Sequence, residues 1–295
     1  MSIAPDDPAL QARIHANLTA ALLDQYQRLS GAADLAEAGS RALAAVEIIP
    51  EKHPQRPAML CNLGITTDLR YDLFGHRPDL DNAVVIGQAA VDPLPLGHPD
   101  RGQYLTTLGG MLGRRLVKYR DPADLDRAVE CLREPVRITH HHEARSHSTA
   151  LSGLGSILAE RFRFAEDPAD LDEAIALFDT AVETATDDSL HQVLYRLNRA
   201  QALCDKFLLT RQHQDLEGAV SACELAWSTT GSPATRIRAA ALAAELLAGV
   251  APARAAQAAE AAVQLMPLTP SKDRSPCRSW SGPGRRGLPA VRARP

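Results

Sequence analysis

The chain repeats one eight-residue phrase, which reads DPADLDRA at residues 121–128 and DPADLDEA at residues 167–174. Its central Asp-Leu pair occurs five times, and successive pairs lie 45, 45, 46 and 45 residues apart. An alanine stands four residues after each aspartate. The pairs with their alanines are Asp34-Leu35 with Ala38, Asp79-Leu80 with Ala83, Asp124-Leu125 with Ala128, Asp170-Leu171 with Ala174, and Asp215-Leu216 with Ala219. Spacing this regular indicates an internal repeat of about 45 residues.

Each repeat is predicted to contain two helices. In the fourth repeat, apolar side chains recur at helical spacing from Leu171 to Val182, and a second helical stripe lies within roughly residues 147–164. Asp167 stands before Pro168 as a predicted N-cap, and Asp170 adds negative charge near the positive end of the helix dipole. Because no segment alternates in the manner of a strand, the sequence predicts an all-α fold.

Composition and charge narrow the class of protein. Hydrophobic residues make up 45% of the 295 residues but aromatic residues only 4%, which favours closely packed helices. No apolar run is long enough for a membrane span, and Met1 to Leu10 lack a basic signal-peptide region, so neither feature is expected. Residues 271–295 hold seven Lys or Arg and one Asp, a charge of +6, so the chain's charge of −4 leaves −10 for residues 1–270. An acidic array gives no reason to expect nucleic-acid binding.

The five cysteines are scattered and include no CxxC motif. They are Cys61, Cys131, Cys204, Cys223 and Cys277. An odd, dispersed set is typical of reduced thiols that pack between helices, and it indicates a cytoplasmic protein.

The repeat resembles the tetratricopeptide (TPR) family. Leu105-x2-Leu108-Gly109-x2-Leu112 matches the first half of the TPR pattern, and Ala174-x3-Phe178-x2-Ala181 matches the second. A standard unit has 34 residues, and seven of the additional residues lie between the glycine and the first alanine, a length of about two helical turns. The resemblance implies a right-handed α-solenoid of about six TPR-like helix-turn-helix units with a period of about 45, spanning residues 1–270.

A second resemblance concerns the kind of protein that carries such an array. Long TPR-like arrays with the phrase DPADLDxA are similar to those found N-terminal to the caspase-like domain of bacterial CHAT-domain proteins, and residues 258–275 are similar to the junction between the two parts. Residues 271–295 are predicted to be a disordered basic tail without a caspase-like domain. The chain is then either a truncated or frame-disrupted relative of these proteins or a complete array with a disordered basic extension.

The TPR resemblance implies a binding groove on the concave face, lined by the first helix of each unit. We therefore expect a protein or peptide partner, no cofactor and no metal, in a sensor or regulatory array. The residues carried over from offsets around the Leu-Gly pair are Gln103, Thr106, Arg114, Thr149, Ser152, Ser156, Glu160, Gln201 and Asp205.

The sequence gives weaker support to other functions. The run His140 to His142 could ligate a metal, but it falls where other repeats carry an inter-helix linker. Gly109, Gly110 and Gly113 resemble a phosphate loop, but no strand precedes them. No constellation of nucleophile and base is apparent, so we do not expect an enzyme. Self-association stays open as an alternative, because a final helix carrying Leu242, Leu246, Leu247 and Val250 would expose apolar side chains if it were unpaired.

Overall fold

The computed structural model describes residues 7–29, 31–138, 144–185 and 189–266, and these ranges contain twelve α-helices and no strand. The expectation of an all-α solenoid of paired helices is confirmed. The basic tail and His140 to His142 lie outside the described residues. The helices are α1 (Pro8–Leu29), α2 (Ala32–Ile48), α3 (Arg56–Phe74), α4 (Arg77–Val91), α5 (Arg101–Tyr119), α6 (Pro122–Ile138), α7 (Ala144–Ala165), α8 (Pro168–Thr184), α9 (Ser189–Thr210), α10 (His213–Ser228), α11 (Pro233–Leu247) and α12 (Pro252–Leu265).

Within each unit consecutive helices form hairpins. We call the odd-numbered helices A-helices and the even-numbered ones B-helices. The chain divides into two compact units. The first unit, up to Lys118, holds α1 to α4 and nearly all of α5. The second unit, from Tyr119, holds α6 to α12. Within each unit a hairpin contacts the next one along the chain, as α2 does with α3 and α8 does with α9.

The helices of the fourth repeat lie where the sequence predicts them. The helix expected over residues 147–164 extends from Ala144 to Ala165, and the phrase at 167–174 opens α8. The side chain of Asp167 accepts a hydrogen bond of 3.0 Å from the backbone N–H of Ala169, which confirms the predicted N-cap. Asp121 makes the same bond to Ala123 at the start of α6.

Small residues allow the two helices of a hairpin to approach closely. The repeated alanines Ala38, Ala83, Ala128, Ala174 and Ala219 are all fully buried. A Cβ atom added to Gly155 would lie 3.0 Å from the ring of Phe178 and 3.2 Å from the carbonyl oxygen of Ala174, both on α8. Larger side chains at these positions would separate the helices, which explains why the repeat keeps them small.

The long repeat period resides in the A-helices. α3 has 19 residues, whereas α7 and α9 have 22 each. α11 belongs to the last repeat, in which the spacing returns toward the TPR standard, and it has 15 residues. At 1.5 Å per residue, the additional seven residues lengthen an A-helix by about 10 Å.

The turn from A-helix to B-helix is built in the same way in four repeats. The residue four positions before the repeated aspartate has a positive φ in each: Gly75 at 66°, Arg120 at 58°, Glu166 at 57° and Arg211 at 59°. The N–H of Gly75 donates to the carbonyl of Tyr71 at 2.8 Å, and that of Arg211 to the carbonyl of Phe207 at 2.8 Å. This left-handed residue ends the A-helix, as is common at helix C-termini.

The repeated aspartate also holds its hairpin together. Asp79 and Asp170 are 3% and 4% exposed, and each forms an ion pair with an arginine nine residues earlier on the A-helix. The Nε of Arg70 lies 3.1 Å from Asp79, and that of Arg161 lies 2.7 Å from Asp170. Every repeat carries a hydrogen-bond donor at this earlier position, namely Gln25, Arg70, Arg115, Arg161 and Lys206. Sequence reasoning missed this pairing, although the regular spacing could have shown it.

The premise of the self-association alternative was wrong, because α11 is not an unpaired final helix. It packs against α12, so Leu247 is 1% exposed and Leu242 and Leu246 join buried clusters. Of the four residues named for that alternative, Val250 is the exposed one, at 59%.

Candidate protein-binding face

Neighbouring A-helices meet side by side within each unit. α1 contacts α3, α7 contacts α9 and α9 contacts α11, while side chains of α5 bond to those of α3. We call this surface the A-face. Each unit has its own A-face, formed by α1, α3 and α5 in the first unit and by α7, α9 and α11 in the second.

The nine residues expected to line a groove all lie on A-helices. Gln103, Thr106 and Arg114 are on α5, four more are on α7, and the last two are on α9. Their exposure differs: Gln103 and Thr149 are exposed, Ser152 is 4% exposed, and the other six are half-buried. The set therefore contains both solvent-facing side chains and side chains that bond neighbouring helices together.

Three of these residues belong to a polar seam between α7 and α9. The Thr149 hydroxyl lies 3.2 Å from the Tyr195 hydroxyl. The Asn198 amide nitrogen lies 3.4 Å from the Ser152 hydroxyl and 3.3 Å from the Ser156 hydroxyl. Gln201 is on α9, one helical turn beyond Asn198. The seam places hydrogen-bonding groups side by side along the A-face of the second unit.

The charged members of the set take part in ion pairs across the A-face. Arg114 on α5 pairs with two acids of α3, at 3.0 Å to Asp68 and 2.8 Å to Asp72. In the second unit, Arg163 on α7 pairs with Glu160 on the same helix and, at 2.7 Å, with Asp205 on α9. Each A-face thus carries one arginine between two carboxylates. Burial by itself would lower the pKa of both arginines, but the carboxylates outweigh it and raise the pKa, so both stay charged.

Asparagines at a repeated A-face position were missed by sequence reasoning. Asn17, Asn62 and Asn198 each stand 17 residues before the repeated aspartate, so the spacing could have revealed them. Asn17 is exposed, and Asn62 and Asn198 are half-buried. A side-chain amide both donates and accepts, which allows one residue to bond both groups of a peptide backbone.

The linkers between B-helix and next A-helix form a cleft on another part of the first unit. It has a volume of about 800 Å³ and is lined by both His-Pro linkers, including His53, Pro54, Leu94 and His98. The Nδ1 atoms of His53 and His98 each accept a backbone N–H at 3.2 Å, from Gln55 and Asp100. Both histidines therefore shape their linkers.

The structure gives no support to the phosphate-loop reading. Gly109, Gly110 and Gly113 lie inside α5 rather than in a loop after a strand. Among the described residues, no group of three or more His, Cys, Asp or Glu side chains is arranged to hold a metal ion.

The buried cysteines are poor nucleophiles. Burial raises the pKa of Cys61 to about 11 and that of Cys223 to about 12, so both thiols are protonated at neutral pH. The four described cysteines are free, in agreement with their interpretation as packing residues. Within the described ranges, no helix combines the length and apolar character needed to cross a membrane.

The fold of this chain is similar to that of several solved structures. The chain is similar to PilF of Pseudomonas aeruginosa, a TPR protein, with a TM-score of 0.55, 14% identity, and coverage of 90% of this chain and 96% of that one. BtubC from P. vanneervenii matches 93% of this chain and 96% of its own at 14% identity and a TM-score of 0.44. The Lin0763 protein of Listeria innocua covers 71% of this chain and 72% of its own at 15% identity and a TM-score of 0.38.

No protein-family model and no curated protein sequence matches the chain. The likeness to PilF shows the fold alone, and on that basis the chain has a TPR-like helical-repeat fold.

Proposed function

We propose that the chain is a protein-interaction scaffold that binds a protein or peptide segment on a concave face formed by its A-helices. The observation that carries this proposal is the polar A-face itself. The side chains of Asn17, Asn62 and Gln103 make no hydrogen bond to another described residue, although they share one face of the first unit. Side chains that the fold does not use for its own bonds are suited to hydrogen-bond an extended peptide or a helix.

The second unit supports the same function. Asn198 and Gln201 lie half-buried on α9, and the Asn198 amide nitrogen lies 3.4 Å from the Ser152 hydroxyl on α7. Short side chains leave room for a partner's backbone, and the amides supply donors and acceptors at that place.

The test is site-specific photo-crosslinking with the full chain. A photoreactive phenylalanine analogue is placed at Gln103 or Gln201 on the A-helices, and matched controls carry it at Glu47 on α2 or Ser221 on α10, which are exposed on B-helices. We expect crosslinked partners from the two A-helix positions. Equal crosslinking from the B-helix positions would contradict the proposal.

A variant test follows from the same geometry. Replacing Asn17, Asn62, Gln103 and Gln201 by alanine together is expected to weaken partner recovery strongly and leave the circular dichroism spectrum unchanged. Arg114 and Glu160 are unsuitable for this purpose. Arg114 connects α5 to α3, and Glu160 pairs with Arg163, which connects α7 to α9. Recovery equal to that of the unaltered chain would count against the A-face.

We further propose that this scaffold is the sensor or regulatory array of a CHAT-type system. The support is the DPADLDxA phrase in two repeats and the resemblance of residues 258–275 to the junction in CHAT-domain proteins. Sequencing the locus beyond the codon for Pro295 tests this assignment. A reading frame for a caspase-like sheet with a paired His and Cys would support it, and no such frame in the surrounding locus would contradict it.

A further inference from the structure

The A-face of the first unit contains a charge cluster in which acids outnumber bases. We call Tyr26, Asp68, Asp72 and Arg114 the Arg114 cluster. Both oxygens of Asp72 lie 2.8 Å from one terminal nitrogen of Arg114, and Asp68 Oδ2 lies 3.0 Å from Arg114 Nε. One guanidinium therefore serves two carboxylates, and the cluster has a net charge of −1 when both acids are ionised.

One oxygen of this cluster has no hydrogen-bond partner. Asp68 is 8% exposed, and its Oδ1 atom is buried without a donor in the structure. A buried carboxylate oxygen without a donor is costly, because it has lost water and gained nothing in exchange. Because this atom is itself buried, a cation bound at the exposed Asp72 side of the cluster would offset the cost through its charge.

The surroundings define which donor fits. Asp72 is 43% exposed at its side chain, so the cluster opens to solvent through a second carboxylate. Tyr26 on α1 lies close enough for the cluster to act on its hydroxyl: burial raises its pKa, Asp72 raises it further and Arg114 lowers it. An anion would meet two carboxylates here, whereas an ammonium or guanidinium group would meet oxygen acceptors from two helices.

The second unit provides an instructive comparison. Arg163 also lies between two acids, Glu160 and Asp205, but neither of those acids has a buried oxygen without a partner. The two clusters have the same charge, and the vacant acceptor distinguishes the one around Arg114.

We infer that the Arg114 cluster binds a basic side chain, lysine or arginine, of the partner protein. This inference rests on the proposed function and specifies its chemistry in the first unit. It also changes the role of Arg114, which the sequence suggested as a groove residue for a partner. Arg114 is instead the internal cation with which the partner's basic side chain competes for the two acids.

The experiment uses a small probe with the full-length protein. N-acetyl-arginine amide is titrated into isotope-labelled protein and followed by nuclear magnetic resonance, and N-acetyl-citrulline amide, which has nearly the same shape without the charge, serves as the matched ligand. We expect saturable shifts confined to α1, α3 and α5, with a dissociation constant on the order of millimolar. The citrulline compound should cause no such shifts.

Three variants separate the cluster from the rest of the surface. Asp72→Asn removes one negative charge and should weaken probe binding about fivefold. Arg114→Gln removes the competing internal cation and should strengthen it by a similar factor. Asp92→Asn, at the end of α4, is exposed and outside the cluster, so it should leave the affinity unchanged.

A pH series gives an independent measurement. Burial raises the pKa of Asp68 to about 6, with Arg114 lowering it and Asp72 raising it. The charged groups facing Asp68 are Asp72 on its own helix and Arg114 on α5, and Tyr26 stays neutral in this range. Lowering the pH from 7.5 to 5 should therefore weaken probe binding, because Asp68 gains a proton.

Each contrary result overturns the inference. Equal shifts from the citrulline compound, an unchanged affinity in Asp72→Asn, or weaker binding in Arg114→Gln would show that the cluster does not select a cation. Such a failure is distinct from failure of the proposed function, because photo-crosslinking at Gln103 detects a partner of any charge.

Discussion

The ion pair between Arg161 and Asp170 is expected to stabilise the α7–α8 hairpin by an amount that a double-mutant cycle can measure. Asp170 is 4% exposed and receives bonds from two nitrogens of Arg161, one of them at 2.7 Å. Removing one member of a buried pair costs about 3–5 kcal/mol. The Arg161 side chain is 28% exposed, so water can solvate it after Asp170 is lost. We therefore expect about 2–3 kcal/mol for Asp170→Ala.

The assay combines urea unfolding with hydrogen exchange, because repeat proteins can lose one segment before the others. Asp170→Ala, Arg161→Ala and the double variant form the cycle, and the coupling energy should be about 2 kcal/mol. Exchange should increase first in α7 and α8. Arg254 and Glu217, 3.2 Å apart on the surface, form the control pair, for which we expect coupling within experimental error.

A coupling energy for Arg161 and Asp170 no larger than that of the surface pair would refute this reasoning. It would mean that the aspartate of the repeated phrase acts at the start of its helix alone. Equal protection of α7 and α8 in Asp170→Ala and in the unaltered protein would lead to the same conclusion.

Four further predictions concern single positions in the two units. Gly75→Ala should destabilise the first unit by about 1 kcal/mol through its positive φ alone, since an added Cβ meets nothing within 4 Å. Arg211→Gly should stabilise the second unit by about 0.5 kcal/mol, because glycine adopts a positive φ without strain. Changes of the opposite sign in the free energy of unfolding would contradict both predictions. Arg56→Met should lower the free energy of unfolding in urea by about 2 kcal/mol. The buried Arg56 side chain donates to the carbonyls of Val46 at 3.0 Å and Ile49 at 2.7 Å. An unchanged unfolding midpoint would show that water replaces the guanidinium as the donor. Asp68→Asn should remove a pH dependence. Burial raises the pKa of Asp68 from 3.8 to about 6, so the folded state holds the proton more tightly than the unfolded state. The free energy of unfolding should therefore fall by about 3 kcal/mol as the pH rises through these two units. Parallel pH profiles of stability for the variant and the unaltered protein would contradict the assignment.

The sequence was sufficient for the architecture because the repeat imposes the same demand in every copy. Ala174 is small because α7 must approach α8, and Asp167 precedes Pro168 because a helix begins there. Both demands arise within a few residues of the chain, so spacing and residue type express them directly. The last A-helix, α11, is shorter for the same reason, since its repeat lacks the additional residues.

The side-chain contacts and the exposure of the A-face residues could not be predicted in this way. Arg114 and Asp72 are 42 residues apart, as are Arg163 and Asp205, and each pair forms only when one A-helix lies against the next. A residue that looks like a free groove charge in the sequence is therefore an internal contact in the structure. Exposure was equally hidden, because Ser152 and Gln103 occupy groove positions, yet one is buried and the other is exposed.

The two pairs at this separation show what the repeat preserves on the A-face. Asp72 and Arg163 occupy the same position, seven residues before the repeated aspartate, while Arg114 and Asp205 share the position ten residues before it. The signs are therefore exchanged between the units, and the pairing is kept. A contact that survives exchange of its charges serves the attachment of one helix to the next, and it does not depend on the sign presented to a partner. Specificity toward a partner then depends on groups beyond the exchanged pair of Arg114 and Asp72. In the first unit Asp68 is such a group, because its Oδ2 atom bonds Arg114 while its Oδ1 atom has no partner.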